Sequence, residues 1–300
     1  QKLEELHYVA ATIAPMERMV MLDGKAMDDL QASPLIRRRI AYPQQRNLPL
    51  EYSSKKRSLY PLKFGTWRVV EALENQLLGL GVQIIKNASP TSVQVQNNKI
   101  VGLDYVSSGA RVSIDAIGNL LWTTGIPPLF NLMFGDWSGD APDIPQKTVL
   151  ANILIDKPLD SEDLHYFHVY DPDYKTFRVN NYFNYCENAK SSHGYPVCAE
   201  LILSPDELES FDIVETGVNE LRSMGVLSEQ KITFSKGEIL QSSFPMPTMK
   251  NAALTGVMRD QLYSENIKNL LIAGIQSEPD LFFQRHVLPN LYSKIMGDAA

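Results

Sequence analysis

Residues 119–125 read NLLWTTG, an unbroken apolar run that closes on small residues. Runs of this kind suit a strand covered on both faces, and such strands favour parallel sheets. The pattern returns as NLLIAGI at 269–275. Two such runs far apart in sequence predict a parallel pair with a large part of the chain between them. That intervening part contains VLANILI (149–155), LHYFHVY (164–170), FRVNNYFNY (177–185) and YPVCAELIL (195–203). These β-branched and aromatic runs, separated by Pro, Asp, Gly and Ser, predict an antiparallel sheet.

Ahead of Asn119 the segments VQII (82–85), TSVQV (91–95), KIVGLDYV (99–106) and RVSIDAI (111–117) predict a meander, with Asn97-Asn98 and Ser108-Gly109 as turns. Upstream of that, RVVEALENQLLGLG carries Val70, Leu73, Leu77 and Leu80 at helical spacing, with Gly79 or Gly81 as the C-terminal cap. Ser204-Pro205-Asp206-Glu207 is a capping-box start for a helix whose buried side takes Leu208, Phe211, Val218 and Leu221. A last helix is expected over roughly 285–296, before Gly297. The sum is an α/β chain of the α+β kind, in which an antiparallel-sheet domain is inserted into a domain with parallel strands.

Composition narrows the function classes. Three hundred residues with 44% apolar and 21% charged side chains exclude disorder as the overall state. A net charge of −7 argues against a general nucleic-acid binder, which carries a basic stripe. The triple Arg37, Arg38, Arg39 could hold phosphate, although short charge runs are more often a solvated helix face. Cys186 and Cys198 are the only cysteines, too few for a disulfide framework, so a reducing, cytoplasmic setting is the expectation. No transmembrane run occurs. The chain opens on Gln1 rather than Met, as expected of a piece cut from something longer.

Direct motif searches return little. There is no GxxxxGK[ST] loop, GDWSG (135–139) lacks the spacing of a nucleophile elbow, and no GxGxxG turn is available for a pyrophosphate. His165 and His168 lie three apart on an expected strand, hence on opposite faces, and no metal site is expected.

Three stretches nevertheless converge. YPLKFGTWRVVEALENQLLGLGVQI (60–84), YDPDYKTFRVNNYFNYC (170–186) and FPMPTMKNAAL (244–254), with the late Leu-x-x-Ala-Gly and a final helix, resemble the FAD-dependent amine-oxidase and protoporphyrinogen-oxidase-like flavoproteins. Within them the pattern is most similar to the UDP-galactopyranose mutases, over about residues 58–300. The resemblance implies a partial FAD-binding-like domain over 60–147 plus 262–300. It also implies a substrate domain over 1–59 plus 148–261, and a flavin-dependent oxidoreductase or mutase acting on a small molecule such as a nucleotide sugar. The cell-surface polysaccharide steps are the expected setting.

That resemblance places Arg178, Asn184, Tyr185, His168 and Phe244 on the substrate side. It places Gly65, Thr66, Trp67, Val93, Gly274 and Gln284 on the FAD side. Arg178, on an otherwise neutral strand beside Phe177, Tyr182 and Tyr185, can fork onto a diphosphate while the rings stack on a sugar or base. The alternative is that Arg178 pairs with Asp171 or Asp173 and the rings are core. A Gly at 65 or 274 would let backbone approach a cofactor closely, or simply end a strand or turn. Departures exist. The family's double-Gly turn is FGTW here, its Tyr before Pro is Phe244, and the Arg expected after Gly274 is absent, leaving Gln284 or Asp280 to stand in. A non-catalytic nucleotide-sugar or partner-binding module is the other reading. A third is a subunit-interaction protein, its strand edges pairing with another chain, a homo-oligomer among the outcomes.

Overall fold

The computed structural model describes residues 3–8, 10, 19–20, 25, 29, 32–34, 40–41 and 59–297, apart from 160–163, 190–192, 241–244, 280 and 282–283. The triple Arg, Phe244 and Asp280 lie outside the described residues. After a short 3-10 turn at Leu3–Glu5 and a parallel pair of two-residue strands, Met19–Val20 with Ile40–Ala41, the longer elements in chain order are α1 (Trp67–Gly79), β1 (Ala88–Gln96), β2 (Lys99–Ser107), β3 (Ala110–Asp115), β4 (Leu120–Trp122) and α2 (Ile126–Phe134). Then come β5 (Lys147–Ile155), β6 (Tyr166–His168), β7 (Thr176–Asn181), β8 (Tyr195–Leu203), α3 (Pro205–Leu208) and α4 (Ile213–Ser223). The chain closes with β9 (Ile232–Ile239), α5 (Met249–Ser264), β10 (Leu270–Ile272) and α6 (Gln284–Met296). These fall into two compact units: Gln1–Ala14, Val82–Ile144 and Pro245–Ala300 form unit 1, and Pro15–Gly81 and Pro145–Phe244 form unit 2.

Unit 1 joins the β1-β2-β3 meander to a parallel pair, β4 with β10. The two hairpin turns fall where the Asn-Asn and Ser-Gly pairs predict them. Asn97 and Asn98 have φ of 52° and 55°, and Ser108 and Gly109 have 50° and 81°. Left-handed conformation at both central residues matches the twist of the flanking strands. VQII forms no strand; residues 82–86 lie outside every sheet, with Val82 and Ile85 exposed.

The parallel pair is as expected, but its coverage is not. Trp122 and Ile272 enter a core with Ile126, Leu129, Phe130, Met258 and Leu262, whereas Leu121 points the other way and is exposed. A two-stranded sheet with a core on one face cannot bury the alternate side chains, so the apolar run is only half used. Asn269 ties this pair to the meander. Its side chain accepts from the Ile100 amide at 2.8 Å and donates to the carbonyls of Ile100, Ile117 and Gly118. A buried amide that meets several backbone groups at once leaves little polar surface unsatisfied.

Unit 2 is built on a five-stranded sheet of order β9-β5-β8-β7-β6, every neighbouring pair antiparallel. Along β5 and β8, alternation divides the faces. Val149, Ala151, Ile153 and Ile155 of β5 and Val197, Ala199, Leu201 and Leu203 of β8 point to one side, where Val218 and Leu221 of α4 cover them. The helix approaches closely because Gly217 faces the sheet; a Cβ there would lie 2.6 Å from that of Ala151.

The capping box forms as expected, with the Ser204 amide and hydroxyl both donating to Glu207 at 2.8 and 2.9 Å. The single expected helix is nevertheless two. α3 stops at Leu208 and Asp212 restarts α4, its carboxylate accepting from the Glu215 amide at 2.8 Å. Asp in an extended conformation competes well for an N-cap and interrupts the helix it would otherwise sit inside. α1 forms over the expected residues, but its stripe is uncovered: Val70 is 65% and Leu73 55% exposed.

Candidate functional site

The face of the unit 2 sheet away from α4 carries the polar residues. Register places Tyr166 opposite Asn180, His168 opposite Arg178, Asn180 opposite Cys198 and Arg178 opposite Glu200. Their neighbours Phe167, Val179, Ala199 and Leu201 point into the core. Alternation therefore assembles His168, Arg178, Asn180, Cys198 and Glu200 on one surface.

Glu200 organises that surface. Nη2 of Arg178 donates to its Oε2 and Nδ2 of Asn180 to its Oε1, each at 2.6 Å. Tyr185 extends the network by donating its hydroxyl to Oδ1 of Asn180 at 3.1 Å. Arg178 thus pairs with Glu200 and with neither Asp171 nor Asp173. Burial opposes its charge, but the Glu200 hydrogen bond and charge outweigh burial and raise its pKa. Burial, with a smaller push from Arg178, holds His168 below the usual imidazole value, which keeps it neutral at pH 7. Burial pushes the Tyr185 hydroxyl and the Cys198 thiol each up to about 12, so neither supplies an anion.

Two donors or acceptors on this surface are left over. The Nε of Arg178 and the Nε2 of His168 are buried and have no hydrogen-bond partner. Unsatisfied buried polar atoms cost free energy unless a ligand or water meets them. Rings surround the pair: Tyr166 and Phe177 each lie with their centroids 6.0 Å from the Arg178 guanidinium carbon, and His168 stacks on Phe177 at 4.9 Å.

The segment before α1 reaches the same surface. Tyr60 packs edge-on against Tyr185 at 4.9 Å, and Phe64 against Tyr182 at 5.6 Å. The Gly65 amide donates to the Tyr60 hydroxyl at 3.0 Å. Gly65, His168, Arg178 and Tyr185 therefore belong to one continuous cluster. Asn184 stands in the short turn Tyr182–Asn184 and donates to the Leu164 carbonyl at 3.1 Å, a backbone tie. Thr66 occupies the N-cap position of α1 without capping it through its side chain, and Trp67 begins the helix under the Arg68 guanidinium, 4.6 Å from the ring centre.

The remaining expected residues belong to unit 1. Val93 is half-buried in β1 opposite Leu103, Gly274 follows β10, and Gln284 opens α6. Among the described residues no cluster of three or more metal-ligating side chains exists, and no helix is long and apolar enough to cross a membrane.

Sequence reasoning missed Glu200, Asn180 and Tyr60. The signal for Glu200 was present: a lone acid alternating with Val197, Ala199 and Leu201 in an otherwise apolar strand demands a cationic partner on its own face.

The architecture is that of an incomplete FAD-binding-like unit interrupted in sequence by an antiparallel-sheet unit, an α+β fold. The chain is similar to reduced UDP-galactopyranose mutase, with a TM-score of 0.54 and 12% identity over 69% of this chain and 46% of that one. It is similar as well to an oxidoreductase from Methanosarcina mazei, with a TM-score of 0.51 and 11% identity over 76% of this chain and 53% of that one. The chain spans about half the length of these solved structures. No protein-family model and no curated protein matches it in sequence. Likeness at such identity establishes the fold; the chemistry must be read from the site.

Proposed function

We propose that the chain carries the substrate-binding sheet of a flavoenzyme-like protein, and that the Arg178–Glu200 face receives the sugar part of a small molecule such as a nucleotide sugar. The observation that carries this reading is the pair of unpartnered buried nitrogens, Arg178 Nε and His168 Nε2, inside a ring of aromatics. Aromatic faces suit the C–H side of a sugar, and fixed donors suit its hydroxyls. Because Glu200 already neutralises Arg178, a bare diphosphate gains less here than a hydroxyl-bearing ring does.

FAD itself fits these residues poorly. A Cβ on Gly65 would overlap the indole of Trp67, so the chain's own ring already accounts for this glycine. A Cβ on Gly274 would overlap the Thr123 carbonyl, so close strand packing already accounts for this glycine. With no GxGxxG turn in the sequence either, a flavin would need residues beyond those described, and no catalytic step is routed through it. FAD-dependent oxidoreductase activity rests on the likeness of fold. The filled glycine sites favour the second reading, a nucleotide-sugar-binding module.

Calorimetric titration of the whole chain with UDP-galactose and, separately, with FAD tests both. Binding of UDP-galactose that falls at least tenfold in Arg178→Ala supports the sheet site. FAD retained through gel filtration, with its visible absorbance, supports the flavoenzyme reading; UDP-galactose binding alone supports the module. Failure of both ligands to bind removes both readings.

A further inference from the structure

Unit 1 contains a cavity of about 300 Å³ remote in sequence from the sheet residues above. One wall is the first turns of α5, with Met249, Ala252 and Arg259; the other is the segment after β10, with Gln276, Pro279 and Leu281. The second wall is fixed in place. Tyr263 donates its hydroxyl to the Ser277 carbonyl at 3.2 Å, Ser277 Oγ donates to the Gly274 carbonyl at 2.9 Å, and Lys294 Nζ holds Glu278 at 2.8 Å. A chain reversal is closed by the Gln276 amide on the Leu281 carbonyl at 2.6 Å. The space is thus built before any ligand arrives.

Among the described residues that line the cavity, which include His7, Arg259 is the one Lys or Arg. The guanidinium forms neither a hydrogen bond nor an ion pair with any described residue. It lies back along the helix, with Nη2 3.8 Å from where a Cβ would sit on Gly256. The nearby acids are engaged elsewhere. Glu278 binds Lys294, and Asp143 accepts the Thr248 hydroxyl at 2.6 Å with Lys250 3.8 Å away. No acidic side chain among the described residues lines the cavity.

We propose that this cavity binds a small organic monocarboxylate, its carboxylate forked onto Arg259 and its apolar body against Met249, Ala252, Pro279 and Leu281. A planar guanidinium matches a carboxylate in both geometry and charge. One cation balances one negative charge, whereas a phosphate dianion would remain half compensated. The site lies in unit 1 and does not depend on the sugar reading of unit 2, so either can fail alone.

Octanoate is a suitable probe, titrated calorimetrically into the full chain, with 1-octanol as the uncharged comparison. Arg259→Ala is expected to weaken octanoate at least tenfold, Arg259→Lys to weaken it less, and octanol to bind at least tenfold more weakly than octanoate. Ala252→Phe, which fills the space and keeps the cation, is expected to abolish octanoate binding. Equal affinity of octanoate and octanol, unchanged affinity in Ala252→Phe, or absence of binding at millimolar octanoate overturns the proposal. So does unchanged affinity in a folded Arg259→Ala. Should Arg259→Ala fail to fold, the octanol and Ala252→Phe comparisons decide.

Discussion

Arg178 and Glu200 face each other across β7 and β8 at 2.6 Å, with the glutamate side chain 11% exposed and the arginine side chain 37%. The ion pair sits on a sheet whose opposite face is the apolar core. Removing one partner from a buried pair costs about 3–5 kcal/mol, while replacing both is often close to neutral. Partial exposure of Arg178 lowers that figure, so Glu200→Gln is expected to cost about 1–3 kcal/mol. The double variant Arg178→Met with Glu200→Met is expected to recover most of it. Urea midpoints of the three proteins check this; a double variant as weak as the single one would show that the pair, not the stranded charge, carries the energy.

His168 gives the protein a pH signature. Burial first, and then the charge of Arg178, hold its imidazole below the ordinary value of 6.5, with Glu200 opposing. As pH falls the unfolded chain takes up this proton before the folded one. Stability is therefore expected to decline from about pH 6.5 downward, the loss from this group deepening as pH falls toward the folded value. His168→Gln should flatten that slope. Melting temperatures of both proteins at about pH 7.5 and about pH 5.5 test it, the wild type losing more.

Gly217 is the point where α4 touches the sheet. Alanine would gain up to about 1 kcal/mol in helix propensity, but its Cβ would meet that of Ala151 at 2.6 Å. Overpacking of this kind costs about 1–3 kcal/mol, so Gly217→Ala is expected to be net destabilising. Ala151→Gly in the same chain should relieve the clash. Denaturant unfolding of both variants reports the difference.

Asn269 joins the meander to the parallel strands through the backbone groups of three residues. Asn269→Ala leaves those groups short of partners and is expected to cost about 2–4 kcal/mol, the sum of a few buried hydrogen bonds. Hydrogen exchange at the Ile100 amide should accelerate markedly, since its acceptor disappears. Unchanged protection at Ile100 would mean that water replaces the side chain without loss.

Much of the fold is legible residue by residue. The Asn97-Asn98 and Ser108-Gly109 turns and the Ser204–Glu207 capping box follow from local chemistry, and the two apolar runs that form the parallel pair are recognisable by their shared composition. The site was partly legible. Arg178 and His168 come together on one face because period-two alternation and register put them there, and Tyr185 joins them from beyond the Tyr182–Asn184 turn through its hydrogen bond to Asn180. The partner of Arg178 was not, since Glu200 is a strand away and only register brings it opposite. Phe244 lies outside the described residues, and Gln284 is placed only as the first residue of α6.

The sequence by itself determined where strands, turns and helix starts fall, because those depend on side chains a few positions apart. Only the tertiary structure decided what each surface meets. Val70 and Leu73 form a helical stripe that no element among the described residues covers, and Leu121 belongs to an apolar run of which only alternate residues reach a core. Gly65 and Gly274 permit close approach, yet the atoms that approach are Trp67 and Thr123 of the same chain. Such outcomes depend on which strands pair, in what register and with what on the other side. They arise from many weak contacts between residues distant in sequence, and no local spacing encodes them.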